Sequence, residues 1–405
     1  MLNVKTPDEA IQLIRETFKN SSPIESVQLS NACGRTLCED ILSTENIPDF
    51  NRSMVDGYAV FARDTFGSSE SIPSILPLIG EVKMGESASK PLEKSNCIAV
   101  PTGGDIPEGA DAVVMLEYTE NYGDGTIGIL KPVAPGDNMI FCGDDISLGK
   151  KLLHAGHKIT PHDIGALAAL GIGTVNVYKQ PLFGIISTGD ELVDFMQKPQ
   201  KGQMRNVNSI LLEAVVKNSG GQIKSYGIVK DDEDSLYCTV EKAAVECQAI
   251  LISGGSSVGM KDATARVIEK QGSILFHGIA MKPGKPTILG SIDGKPVFGL
   301  PGHPVAAYFV AQLFVVPLIG LMMNRQEKIF NVTATLCESI SSNHGRAEYV
   351  GVKLEKIGDL LTALPIHGKS GLISILSGSD GYICIPRDCE GLPKGAVVFV
   401  TLWNN

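Results

Sequence analysis

At 405 residues the chain exceeds what one ordinary core holds, so two to four domains are expected, and 43% hydrophobic against 20% charged residues is the balance of a globular protein. A net charge of −10 without any basic run excludes a partner held through a nucleic-acid backbone, which needs Lys and Arg gathered on one face. A local anion site stays open, because a few Lys residues and helix N-termini suffice for one phosphate.

In chain order, Met1-Leu2-Asn3-Val4-Lys5 has no apolar h-region, so no signal peptide is expected. Thr6-Pro7-Asp8-Glu9 is a capping box with Pro at the first helical position. Ala10, Ile11, Ile14 and Phe18 follow as an apolar stripe, which predicts a helix over 7–19. Residues 24–46 read as short strands and turns. From 47 to about 142 the pattern is β-rich, with strands at 97–100 and 112–115 between Gly and Pro turns. The segment 143–180 returns to a helix at 163–170 after Thr160-Pro161-His162. Nine scattered Cys residues form no C-x-x-C pair, which argues against a disulfide framework and a structural zinc site and, with the missing leader, predicts a cytoplasmic location.

Between 181 and 325 strands and helices alternate. Strands are predicted at 182–187, 223–229, 249–253 and 296–300, and helices at 209–217, 235–247, 263–270 and from Pro304 onward. Short apolar strands separated by helices read as a parallel, doubly wound sheet whose ligands sit beyond the strands' carboxyl ends. The stretch 305–323 is apolar and nearly bilayer-long. It contains Gln312 and Pro317 and starts with Pro304 at a first helical position, so it is read as a buried core helix, with no membrane partner. Residues 328–405 are strand-like at 332–336, 349–354, 381–385 and 397–402, a small β domain. The fold class is therefore multidomain α/β: a central doubly wound domain with two smaller β-rich domains and an extended connector.

Four loops at or near the sheet carry chemistry. They are Ser187-Thr188-Gly189-Asp190-Glu191-Leu192, the run from Ser253 through Gly254, Gly255, Ser256, Ser257 and Gly259 to Asp262, Lys282-Pro283-Gly284-Lys285-Pro286, and Leu300-Pro301-Gly302-His303-Pro304-Val305. Gly lets backbone N–H groups approach an anion closely, and Ser hydroxyls add donors. Lys282 and Lys285 supply full charge. Asp190, Glu191 and Asp262 could hold Mg²⁺ between phosphate oxygens. Phosphate donors and carboxylates together point to a metal-bridged phosphate or pyrophosphate.

Other patterns compete. Gly368-Lys369-Ser370 imitates the end of a P-loop, but Ala363 stands where that motif requires Gly. His154, His157 and His162 have no Cys or carboxylate at zinc-finger spacing and read as surface histidines. Gly255-Ser256-Ser257-Val258-Gly259 fits a nucleophile elbow, with His303 or His344 to complete a triad. A hydrolase built on Ser257 is thus one alternative, and a non-catalytic binding or scaffolding protein is another.

Taken in order, the loops resemble the molybdopterin molybdenumtransferase family, which includes the E domain of gephyrin. The motifs are Asp56-Gly57-Tyr58-Ala59-Val60, Pro101-Thr102-Gly103-Gly104 with Gly109-Ala110-Asp111-Ala112-Val113, Gly143-Asp144-Asp145-Ile146, and the four loops above. The resemblance covers essentially the whole chain. It implies four domains: a connector and dimerisation unit (24–46 with 143–180), a β-rich unit (47–142), an α/β molybdopterin-binding unit (1–23 with 181–327) and a C-terminal β unit (328–405). It implies molybdate insertion into adenylylated molybdopterin with Mg²⁺-dependent AMP release, a homodimer with shared active sites, and contact with the molybdopterin adenylyltransferase. Carried over by motif, Asp56, Thr102, Glu191, Asp231, Asp262, Lys282 and Lys285 are catalytic. Gly254, Gly255, Ser256, Ser257, Gly259, Pro283, Gly284, Pro301, Gly302, His303, Arg346 and Ser370 bind the cofactor, and Asp190, Glu191 and Asp262 are the metal ligands. The chain departs from the family where it has Ile140 and Gly278 in place of frequent basic residues, which lowers the expected strength of anion binding, and where His303 replaces a frequent Asn.

Overall fold

A computed structural model of the chain describes residues 4–254, 258–325 and 329–403, with the backbone alone for 258–262. A six-stranded sheet lies at its centre, ordered Gln222–Val229, Leu182–Thr188, Ala249–Gly254, Lys295–Leu300, Ile288–Ile292 and Ser273–His277. The first four strands are parallel. The fifth, Ile288–Ile292, runs antiparallel to both its neighbours, which corrects the expectation of an all-parallel sheet. The physical reason is Asp293-Gly294, whose φ values of 49° and 74° form a two-residue hairpin turn and send the chain straight back.

Alternation along the central strands builds two cores, one on each face. Phe183, Ile185, Leu251 and Phe298 point to one side, against Leu212 and Val216 of helix Val207–Asn218. Ile186, Ile250, Ile252 and Val297 point to the other, against Leu236, Val240, Val267 and Ile268. Each fully buried Leu, Ile or Phe contributes about 1.5–3 kcal/mol relative to exposure.

The long apolar segment joins the first core. It runs as helix Pro304–Val310, a π-helical turn Ala311–Val315 and helix Val316–Met322. Pro317 has no N–H and its ring crowds the preceding turn, so the wider turn just before it absorbs the misfit. By length and composition this segment could cross a bilayer, yet 72% of it is buried inside the structure. Helix Pro7–Thr17, capped by Thr6 and Glu9 as read from the sequence, packs Ala10 and Ile14 on it.

Three further units surround this centre. Ile24–Gln28 pairs with Thr174–Tyr178, and Ile41–Leu42 with Lys151–Leu153, closing over Leu37, Ile159, Leu167 and Val177. The chain between them forms a second six-stranded sheet that includes Gly57–Val60 beside Ala112–Met115. In the C-terminal unit Ala347–Ile357 pairs with both Leu360–Pro365 and Gly381–Ile385, so five strands close on themselves and leave few edges. Strand Leu360–Pro365 was not anticipated. Gly358, with φ 63°, turns the chain into it.

The C-terminal unit is bound to the centre in two ways. Met281–Lys282 pairs in parallel with Ala347 and Glu348, so the Lys-Pro-Gly-Lys-Pro loop is stitched to the C-terminal sheet rather than to the α/β sheet. Trp403, Tyr382 and Tyr349 also pack against Tyr308 and Phe309 of the core helix, with ring centroids 5.0–6.0 Å apart across the joint.

Candidate functional site

The joint between the centre and the C-terminal unit holds a groove of about 1010 Å³. One wall comes from the loops at 281–286 and 301–306, the other from 339–351 and 366–375. Lys282, Lys285, Arg346, Lys369 and His303 line it together with Ser370, while Phe309, Ile340, Ile366 and Ile375 form apolar patches. A basic cluster in a chain of net charge −10 is a local field opposed to the global one, which suits capture of an anion. Pro283, Gly284, Pro301 and Gly302 line the same groove.

Backbone geometry sets this lining. Gly284 sits at φ 118°, and a Cβ there would stand 2.9 Å from Val310 Cγ2, so only glycine lets the loop lie on the core helix and present Lys285. Lys282 Nζ meets Glu348 Oε1 at 2.7 Å. His303 Nδ1 and Ser370 Oγ are hydrogen-bonded at 2.7 Å, and Val305 N donates to the Ser370 carbonyl at 3.2 Å. The loop after strand Lys295–Leu300 is thereby clamped to the C-terminal unit.

A buried polar pair supports the loops from below. Asn208 Nδ2 donates to Ser253 Oγ at 2.8 Å and to the Gly302 carbonyl at 2.9 Å, and Ser187 Oγ donates to Asn206 Oδ1 at 3.1 Å. Sequence reasoning missed both asparagines. The available signal was Asn206 at a helix start followed by Asn208 on the face otherwise filled by Leu212, Val215 and Val216. Glu348, Ser342 and Lys369 were missed as well, since their role depends on a joint between units.

The opposite end of the same sheet edge is acidic. Asp231 N donates to Asp190 Oδ1 at 3.2 Å, and Thr188 Oγ1 lies 3.5 Å from Asp231 Oδ1. Burial, then repulsion from Asp190 and Glu191, pushes the Asp231 carboxyl above the usual range. Among the described residues no three His, Cys, Asp or Glu side chains make a metal-holding group. The donor set nevertheless fits Mg²⁺ in its usual manner, through one or two carboxylates completed by phosphate oxygens and water. Three parallel-strand steps of about 4.8 Å each separate this end from strand Lys295–Leu300, roughly 14 Å in all.

Asp56 and Thr102 meet elsewhere. The Asp56 carboxylate accepts from Thr102 N at 2.8 Å in the β-rich unit, and neither residue lines the groove. Gly57 makes this possible, because a Cβ there would collide with the Val114 carbonyl at 2.0 Å and part the strands. Gly254 ends strand Ala249–Gly254, and Gly259 and Asp262 fall in helix Val258–Gln271. Gly255, Ser256 and Ser257 lie outside the described residues, as does the side chain of Asp262. His157 is paired with Asp163 at 2.7 Å, a satisfied structural contact.

Fold and groove define a multidomain α/β protein with a cationic interdomain groove at the carboxyl edge of its sheet. Residues 5–171 match the MoeA N-terminal region (domain I and II), 184–320 a "Probable molybdopterin binding domain", and 333–403 the MoeA C-terminal region (domain IV). A Bacillus subtilis molybdopterin molybdenumtransferase is 31% identical over 99% of this chain and 95% of its own. A Methanocaldococcus jannaschii protein assigned to molybdopterin biosynthesis is 36% identical over 99% and 98%. The crystal structure of the molybdopterin biosynthesis protein MoeA from Pyrococcus horikoshii superposes with a TM-score of 0.87 at 36% identity, covering 99% of this chain and all of that one. The chain belongs to the molybdopterin molybdenumtransferase family, enzymes of molybdenum cofactor biosynthesis.

Proposed function

We propose that the chain transfers molybdate to adenylylated molybdopterin with Mg²⁺-dependent release of AMP. The observation that carries this reading is the convergence of Lys282, Lys285, Arg346 and Ser370 on one groove. Three cations and a hydroxyl suit a tetrahedral dianion, since charge-assisted hydrogen bonds are the strong ones. The apolar patches beside them limit water around the reacting dithiolene and strengthen each charge contact. Gly254 ends its strand beside Thr188, and the start of helix Val258–Gln271 offers N-terminal donors suited to a pyrophosphate. Asp190, Glu191 and Asp262 would hold Mg²⁺, which when bound supplies charge neutralisation on the pyrophosphate oxygens. Asp231, whose carboxyl is held above its usual range by burial and then by Asp190 and Glu191, sits where a cation or a proton relieves that repulsion.

Incubation with adenylylated molybdopterin, Mg²⁺ and molybdate tests the reading. AMP release together with formation of active cofactor is expected, and absence of both overturns it. A hydrolase built on Ser257 leaves the cationic groove without a task, and the full-length relatives carry the transferase name.

The Asp56–Thr102 pair lies outside the groove, so it reaches the reacting groups by closure of one chain or across a homodimer. We infer the homodimer with shared sites. Asp56→Asn and Asp262→Asn subunits, each inactive alone, are expected to recover activity towards half the wild-type level per mixed dimer. Confirmed exchange without recovery refutes sharing.

A further inference from the structure

Glu348 is an anomaly in an anion site. It lines the groove among Lys282, Lys285, Arg346 and Lys369, where a carboxylate repels the very ligand the cations attract. Its side chain is only 13% exposed, and both its oxygens are engaged: Oε1 by Lys282 Nζ at 2.7 Å, Oε2 by the Ser342 hydroxyl at 2.7 Å. Lys282 and Glu348 are also register partners in the parallel pairing that joins the central loop to the C-terminal sheet. The ion pair is thus built into the backbone of the joint.

The two partners differ in freedom. The carboxylate is fixed by Ser342 and by burial, whereas the lysine is half exposed on a four-carbon stem. An arriving oxyanion must therefore share Lys282 with Glu348 or draw it away. Full withdrawal would leave a partly buried carboxylate with one hydroxyl donor, which is costly, so sharing is favoured. Affinity for the anion is reduced by that competition, and Lys282 returns to a waiting partner when the anion departs.

We propose that Glu348 is a positioning residue that acts through Lys282: an internal competitor that keeps oxyanion binding weak enough for transfer rather than storage. This rests on the transferase reading above. Tight ground-state binding that is not matched in the transition state lowers KM without raising kcat, so an enzyme handing on its anion gains nothing from it.

Glu348→Gln and Glu348→Asp separate charge from shape. Gln keeps the length and can still accept from Ser342, but removes the charge. Asp keeps the charge and shortens the arm. Calorimetry with molybdate and steady-state AMP release are run on both variants and on the wild-type protein. Glu348→Gln is expected to bind molybdate about three- to tenfold more tightly, with a lower KM for molybdate and a reduced kcat, while Glu348→Asp stays near wild type in affinity. Unchanged affinity in Glu348→Gln with damage confined to Glu348→Asp means a structural role and overturns the proposal. So does weaker binding in Glu348→Gln. Wild-type protein that binds no molybdate and releases no AMP removes the transferase reading and this proposal with it, which is a different result from a wild type that does both beside an unaltered Gln variant.

Discussion

The two ends of the sheet's carboxyl edge carry opposite charge and are built differently, the acidic one on loops after Leu182–Thr188 and Gln222–Val229, the cationic one on a loop stitched to the C-terminal sheet. At one end Lys282, Lys285 and Arg346 gather against the C-terminal unit. At the other Asp190, Glu191 and Asp231 crowd together until burial and mutual repulsion raise the Asp231 carboxyl. A single compact anion has no use for both. An extended ligand with an anionic group at one end and a second group drawn to the acidic end would use each, as the proposed reading requires.

That division is open to attack by mutation. The largest effect is expected at the cationic end. Lys282→Ala or Lys285→Ala should each lower kcat/KM for AMP release about 10- to 100-fold, the loss of about 1.5–3 kcal/mol for a hydrogen bond to a charged group. The effect should weaken as salt rises. Asp190→Asn should come next, raising the Mg²⁺ concentration for half-maximal rate about tenfold while leaving the KM for molybdate in place. If the lysine variants instead shift the Mg²⁺ requirement, the two ends are not separate. Ser257→Ala should stay within about tenfold of wild type, as for one hydrogen-bond donor among several. Complete loss with folding intact would restore the nucleophile reading.

The smallest effect is thermodynamic. Because the folded-state pKa of Asp231 is raised, the folded protein binds more protons than the unfolded chain just above the ordinary Asp range. Stability therefore falls as pH rises through that window and keeps the penalty at neutral pH. Asp231→Asn should remove this slope and raise Tm by about 1 °C at pH 7, measured by calorimetry in Mg²⁺-free buffer. A fall in Tm would mean that the carboxylate has a stabilising partner.

The sequence was most readable where structure is local. The capping residues at Thr6, the strand-helix alternation and the glycine and proline loops all depend on neighbours within a few positions. Asp293-Gly294 was equally local and was overlooked, which is why the reversed strand Ile288–Ile292 was not foreseen. Glu348 and Ser342 were not legible in the same way. Their meaning lies in Lys282, sixty or more positions earlier, and in a two-residue pairing too short to leave a periodic trace. Asn208 was hidden by a still longer distance, since it satisfies a carbonyl at Gly302.

The aromatic joint also makes the protein an optical instrument. The chain contains one tryptophan, and Trp403 sits at that joint, its indole N–H donating to Ser379 Oγ at 2.9 Å and its ring 4.9 Å from Tyr382 and 5.0 Å from Tyr308. Emission excited near the red edge of the absorption band therefore comes from one place, the seam between the core helix and the C-terminal unit. A red shift reports wetting of that seam, and a change in anisotropy reports looser docking. Ligand titrations followed at this single residue would read movement of the C-terminal unit with no label added.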